Sequence, residues 1–244
     1  MLISLTLAAF ALATGQQPEL PPVIRDYSKT MTYYYTAPDP ALGPKILKEL
    51  LKPENLDHAW FENREAVQLL MAAQLGDVAT KKPKIVRVYE EAFDGAPLRG
   101  RRVVIRALMN CGDRDSVKRV DAWMANPRNA DVKNELQALR KHLLDPERKH
   151  VRDRPARNPK ELDLLWANYF VTGEYVPVSR ILDVFDLPDA KENEVMKRVA
   201  RWSLGSNLQQ HPKLVELVQK HAKDRPDGSR KVIGEVIVTF PKGG

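Results

Sequence analysis

From Pro44 onward apolar residues return every three or four positions, the period of amphipathic helices rather than of strands. Ile46, Leu47, Leu50 and Leu51 form the first stripe, Ala66, Leu69, Leu70 and Ala73 the second, and Ile85, Val88, Tyr89 and Ala92 the third. Val104, Ala107, Leu108 and Cys111 follow at i, i+3, i+4 and i+7. Two further stripes are Val117, Val120, Trp123 and Met124, then Val132, Leu136, Leu139 and Leu143. The intervening segments are short and carry Gly, Asp, Asn or Pro, as in "LGD", "DGAP", "CGDRD" and "NPRNAD". Links this short make neighbouring helices antiparallel.

The second half repeats the pattern with clearer punctuation. Asn158 suits an N-cap, Pro159 the first helical position, and Glu161 the carboxylate that reaches back to the cap. Leu162, Leu165, Trp166, Tyr169 and Phe170 then make a broad apolar stripe. Gly173 can adopt the left-handed conformation that ends a helix, and Pro177 can open the next, which presents Val178, Ile181, Leu182 and Phe185. Two such stripes across a short turn bury each other, and no convergent polar set accompanies the aromatics, so they read as core rather than as a ligand pocket. Val195, Val199 and Trp202 continue the series, as do Leu214, Leu217 and Val218 after Pro212. The expected core residues here are Trp166, Tyr169, Phe170, Ile181, Phe185 and Trp202. The end, residues 225–240, supports two readings. Val232, Ile233, Val236 and Ile237 make a helical face, whereas Val232, Val236, Val238 and Phe240 alternate like a strand; helical context favours the former.

A repeat emerges when "VQLLMAAQLGD" is laid on "VVIRALMNCGD", placing Val67 over Val103 and Gly76 over Gly112, 36 residues apart. A helix ending in Gly-Asp and followed by a second helix at this period is what stacked helix pairs produce. The segment from Pro44 to Leu144 thus resembles the HEAT-like and armadillo-like repeat families. The resemblance implies an all-α fold, a right-handed superhelical array of antiparallel helix pairs, and carries no chemistry with it. The alignment slips after Asp77, where "ATKKPK" has no counterpart. The second half, from "NPKELDLLWANYFVTG" through "PVSRILDVF" to "ARWSLGSNLQQHP", is similar to a family of uncharacterised bacterial exported proteins, which transfers no catalytic residue.

The N-terminal residues break the helical series. An apolar run from Leu2 to Ala13, then small residues, then Pro-rich sequence reads as a signal peptide over residues 1–15, cleaved after Gly15 or Ala13, although no basic residue precedes the run. The run is well short of the roughly 20 apolar residues that span hydrocarbon, and no later segment is long and apolar enough to do so. Residues 16–43, including "YSKTMTYYYTAPDP", have too little periodicity for a helix and are expected to form an extended Pro/Tyr-rich lead-in, pinned to the body by Tyr33, Tyr34 and Tyr35. N-terminal helical repeats over 44–145, a basic connection over 146–157 and C-terminal helical repeats over 158–240 complete the expected organisation.

Composition changes this picture mainly through charge. With 43% hydrophobic and 29% charged residues in 244, the chain has material for a real core. A mean hydropathy of −0.43 fits a folded, water-facing body. The formal net charge of +7 biases it toward acidic partners, whether nucleic acid, anionic lipid or polyanionic polymer. Candidate anion-docking residues are Arg99, Arg101, Arg102 and Arg106 in and after "RGRR", and Arg148, Lys149, Arg152, Arg154 and Arg157 in the connection. The plainer reading of both is solvated surface and linker. No aromatics interleave with the connection's cations, so stacking on single-stranded nucleic acid has no support.

Other chemistry is sparse. Cys111 sits on an apolar helical face, the setting of a small buried hydrophobe rather than of a nucleophile, which needs a His partner and an electropositive site. His58, His142, His150, His211 and His221 form no helical zinc-hydrolase pair, and one cysteine does not make a structural zinc site. There is no Gly-rich phosphate loop and no Gly-x-Ser-x-Gly elbow. Asp183, Asp186, Asp189, Glu192 and Glu194 lack the spacing of a calcium loop and suit the start of a helix instead. No catalytic residue, metal or cofactor is therefore expected. The expected function is an exported, periplasmic or secreted noncatalytic scaffold that binds a protein or an anionic envelope polymer or lipid surface. Two alternatives stand beside it: an enzyme with a cryptic site between the helical halves and, without export, a basic nucleic-acid-binding protein.

Overall fold

The computed structural model describes residues 22–58, 65–80 and 82–240. The expected signal peptide and its cleavage site lie outside the described residues. Among these, all regular structure is helical, as expected, with thirteen α-helices, four short 3-10 segments and no strand. The chain divides into two compact units, one of residues 22–150 with Phe170–Gly173 and one of Val151–Tyr169 with residues 174–240.

The first unit contains α1 (Pro22–Thr32), α2 (Leu42–Leu50), α3 (Pro53–Leu56), α4 (Glu65–Ala79), α5 (Pro83–Gly95), α6 (Leu98–Cys111), α7 (Ser116–Ala125) and α8 (Lys133–Leu144). The presence of α1 corrects the expected extended lead-in. Its proline stands at the helix start, where a missing N–H costs nothing, and Tyr27 and Met31 at i and i+4 are both buried. The Tyr27 hydroxyl donates to Gln74 Oε1 at 2.6 Å, tying α1 to α4. Of the three consecutive tyrosines, Tyr34 is buried and Tyr33 is exposed.

Helix α4 is buried on nearly all sides, with Val67, Leu70, Met71, Ala72, Ala73, Leu75, Val78 and Ala79 in the core. It also corrects the repeat motif. The Gly-Asp pair at 76–77 lies inside α4, which continues to Ala79, whereas Gly112 is the C-cap of α6. Gly76 serves close packing: a Cβ there would stand 2.5 Å from the Ala107 carbonyl oxygen of α6. Along the unit, α4, α6 and α8 are successive neighbours. A second series runs α2, α5, α7; α2 packs on α5, and Phe93 of α5 stacks on Trp123 of α7 with ring centroids 4.1 Å apart. Contacts of α2 with α4, α5 with α6 and α7 with α8 join the two series.

The basic connection is not one linker. Residues 146–150 belong to the first unit, while Val151–Asp153 forms a 3-10 turn of the second, with Val151 and Ala156 buried. The second unit then holds α9 (Pro159–Thr172, whose last turn counts with the first unit), α10 (Tyr175–Leu182), a 3-10 turn (Asp183–Asp186), α11 (Lys191–Gln210), α12 (Pro212–Ala222) and α13 (Asp227–Thr239). The start of α9 is capped as the sequence predicts: the Glu161 N–H donates to Asn158 Oδ1 at 3.1 Å. Its carboxylate accepts from the Arg157 N–H at 2.6 Å. Gly173 ends the helix with φ 64°, a conformation that favours glycine. Helix rather than strand is found for α13, with Ser229, Ile233 and Val236 on its buried side and Val238 exposed.

Trp166, Tyr169, Phe170, Ile181 and Phe185 are buried, as expected, but Trp202 is not: it is 40% exposed. The core side of α11 is instead Met196, Ala200, Ser203, Leu204, Asn207 and Leu208. Small and polar residues line that side, where the Trp166 Nε1–H donates to Ser203 Oγ at 3.2 Å and Gly205 lies against the Phe240 ring. The stripe Val195, Val199, Trp202 has helical spacing but the opposite phase, and it faces outward.

Candidate functional site

Helix α6 follows Pro97 and carries the first arginine cluster in its opening turns. At 100° per residue Arg99, Arg102 and Arg106 share one side while Arg101 points elsewhere. Each is engaged by its own chain. Arg99 donates to the Leu56 carbonyl at 2.7 Å and to Asp57 at 3.1 Å. Arg101 lies over the Phe93 ring and donates to the Ala96 and Arg128 carbonyls and to Asn129 Oδ1. Arg102 pairs with Glu135 at 3.1 Å and Arg106 with Glu65 at 2.7 Å. The four guanidinium groups thus fasten α6 to its neighbours, and the paired carboxylates cancel much of the field they would project.

The connection's cations are similarly divided. Arg148 lines a depression of about 500 Å³ together with Arg114, Asp113, Asp115 and Asp145, so carboxylates offset its charge. Lys149 and Arg157 are exposed. Arg152 pairs with Glu174 at 2.5 Å, and Arg154 lines a small cavity of about 190 Å³ at the start of α9. Arg148 and Lys149 belong to the first unit, Arg152, Arg154 and Arg157 to the second.

A broader depression of about 940 Å³ runs along α8 and the end of α7, lined by Met124, Gln137, Ala138, Lys141, Leu144 and other residues of α8. Two of its polar groups are committed within the chain, Arg140 donating to Asp121 at 2.6 Å and His142 Nε2 lying 2.9 Å from the Met109 carbonyl, while Gln137 and Lys141 are exposed. Leu144 is 42% exposed within it. An apolar floor of Met124, Ala138 and Leu144 edged by Gln137 and Lys141 suits a side-chain-rich ligand better than a small anion.

Burial is the leading cause of the shifts at Cys111, His211 and Asp163. Burial, with Asp77 nearby, pushes the Cys111 thiol well above its usual range, opposite to the activation a nucleophile needs. Asp77 Oδ1 lies 3.6 Å from His150 Nε2, a carboxylate–imidazole contact the sequence did not suggest. Among the described residues no group of three or more His, Cys, Asp or Glu could hold a metal ion. In the second unit burial lowers His211 to about 4 and raises Asp163 to about 6.

These two shifts oppose each other in pH. His211, depressed in the fold, contributes stability that is present above the unfolded value of 6.5 and lost as pH falls through about 4. Asp163, raised in the fold, contributes stability present below its unfolded value of 3.8 and lost as pH rises through about 6. Asp163→Asn is therefore expected to stabilise the protein at pH 7 by about 3 kcal/mol, the advantage disappearing below pH 4. Urea unfolding of variant and wild type at both pH values checks this; an unchanged difference between them would show that the carboxylate is not the cause.

The cluster that sequence reasoning missed centres on Arg225. Its Nη1 donates to Asp183 at 2.5 Å and Asp186 at 2.6 Å, and its Nη2 to the Ser179 carbonyl at 3.1 Å and hydroxyl at 2.8 Å. Burial opposes the guanidinium charge, yet hydrogen bonds to Asp183, Asp186 and Tyr175 outweigh it and hold the group above its usual range. The two aspartates, read from the sequence as dipole partners of a helix, are the counter-charges of this arginine. No local spacing announces a pair separated by 39 or 42 residues. No protein-family model, curated protein or solved structure matches the chain.

Proposed function

We propose that the protein is an exported, noncatalytic helical-repeat scaffold whose first unit is a short right-handed superhelical array, and that it docks a protein segment in the depression along α7 and α8. The two series of neighbouring helices, α2–α5–α7 and α4–α6–α8, support the array reading, because stacked pairs place equivalent helices side by side. The 36-residue offset between Val67 and Val103 falls on α4 and α6, two successive members of one series. The apolar floor beside the exposed Leu144 carries the docking assignment. A protein segment is favoured over an anionic polymer because the α6 arginines already serve the chain's own carboxylates and carbonyls. Export rests on the apolar run from Leu2 to Ala13 and the small residues after it.

Site-specific photo-crosslinking in the native cells tests the docking surface. A benzophenone amino acid at Ala138 should give a discrete adduct of one partner, whereas the same group at the exposed Lys118 of α7 should not. Equal yields at both positions, or no adduct at Ala138, would remove the groove from the account.

A further inference from the structure

Helices α2 and α5 of the first unit leave between them a groove of about 580 Å³ that shares no lining residue with the α7–α8 depression. Its floor is aliphatic, with Leu47, Leu51, Val88, Ala92 and Ala96, and Val88 is 40% exposed in it. The charged side chains of the lining are Lys45 and Lys48 on the α2 lip and Glu91 on the α5 lip, and no neutral hydrogen-bonding side chain joins them. All three are exposed and form no ion pair within the chain among the described residues. The two helices run in the same direction. A Cβ at Gly43, near the start of α2, would meet Tyr89 Oη of α5, and one at Gly100, beyond the end of α5, would meet Leu51, beyond the end of α2. Both helix N-termini, with their partial positive charge, therefore lie at the Lys45 end. Charges outside the lining keep that polarity. Exposed Lys82, Lys84 and Arg87 stand at the start of α5, against Asp39 before α2. Glu90 is on the other side of α5, where its charge reaches Cys111. Toward the far end Glu49 is held by Lys52 at 2.6 Å and Asp94 by Arg119 at 3.0 Å.

We propose that this groove binds a single-chain amphiphile with an anionic head, of the class of medium-chain fatty acids, its carboxylate at Lys45 and Lys48 and its alkyl chain running toward Leu51 and Ala96. The lining decides between occupants. A sugar, a nucleotide or an extended peptide would leave its donors and acceptors facing aliphatic carbon. From Pro44 to Leu51 the groove runs roughly 10 Å, too short to hold a docked helix but the length of an extended alkyl chain of about eight to ten carbons. A cationic head would meet two lysines and two helix N-termini. Glu91 repels a carboxylate and so confines it to the α2 lip. The aliphatic surface is concave, which suits a chain taken up from solution; a membrane is met by protruding side chains instead.

An amide chemical-shift titration of the full chain with decanoate, kept below the concentration at which it forms micelles, tests this. Saturable shifts confined to α2, α5 and the residues just beyond their ends are expected, with Kd on the order of 100 μM. Octanoate should bind at least about threefold more weakly, because each methylene removed takes away buried apolar area. Changing Lys45→Glu and Lys48→Glu together should abolish saturation, whereas Glu91→Gln should tighten binding about twofold. Val88→Ser should weaken it at least about threefold. All four positions are exposed, so the variants should unfold at the wild-type temperature. Decyltrimethylammonium saturating the same amides as tightly as decanoate overturns the proposal. So do shifts centred elsewhere, or binding indifferent to the lysine changes. Binding to vesicles of anionic phospholipid with no response to decanoate overturns it too and assigns the basic end to a membrane surface. None of these outcomes bears on the α7–α8 groove, which is read by crosslinking at Ala138.

Discussion

Replacing Trp166 by alanine is expected to lower the unfolding free energy by about 4 kcal/mol, the largest effect of any single truncation considered for the second unit. The indole is 1% exposed, packs edge-on against Tyr169 with ring centroids 6.1 Å apart, and donates through Nε1 to Ser203 Oγ. Removing it deletes apolar area, leaves a cavity that small neighbours such as Ala200 and Ser203 do not fill, and takes away the donor to a buried hydroxyl. Ser203 itself still donates to the Ala200 carbonyl at 3.1 Å, so Trp166→Phe should cost less, about 1–2 kcal/mol. The same truncation at Trp202 should cost no more than about 1 kcal/mol because that ring is on the surface. Urea denaturation of the three variants gives the comparison. Equal losses at Trp166 and Trp202 would mean that the two faces of α11 have been confused.

Arg225→Met should have an effect of similar size, about 3–5 kcal/mol, for an electrostatic reason. The substitution keeps much of the volume and removes the charge that Asp183 and Asp186 surround. The arginine side chain is 11% exposed, whereas its aspartates are 37% and 28% exposed, so water softens the penalty and the lower half of the range is expected. Ser229 also donates to Asp186, which anchors that carboxylate in place and prevents its escape. Arg225→Lys should recover only part of the loss, because one ammonium does not reproduce a fork that reaches two carboxylates and both acceptors of Ser179. Thermal unfolding reads both variants. Full recovery by lysine would reduce the cluster to a simple charge effect.

How much of this was legible beforehand differs by level. Helix identity was, because the 3.6 period persists from Pro44 and because Asn158, Pro159, Glu161 and Gly173 mark the ends of α9 through local chemistry. Helix phase was not always legible. In α11 the outward side holds valines and a tryptophan while the inward side holds Ser203, Gly205 and Asn207, so apolar spacing alone selected the wrong face. The small residues are inside because aromatic rings from elsewhere in the chain stand in front of them, Trp166 of α9 at Ser203 and Phe240 at Gly205, and that depends on tertiary packing. Helix α1 was hidden by its proline and polar residues, although Tyr27 and Met31 share a buried side. The arginine cluster of α6 was found correctly as a cluster, but its ion partners lie 33 to 42 residues away, and charge patterning along a helix does not register such distant carboxylates. For the same reason Asp183 and Asp186 were noticed and Arg225 was not.

Export is the claim on which the choice of partner turns, and the intact mass of the protein recovered from fractionated cells tests it most directly. The account predicts a chain shortened at Gly15 or Ala13 and located outside the cytoplasm. A full-length chain confined to the cytoplasm would contradict it.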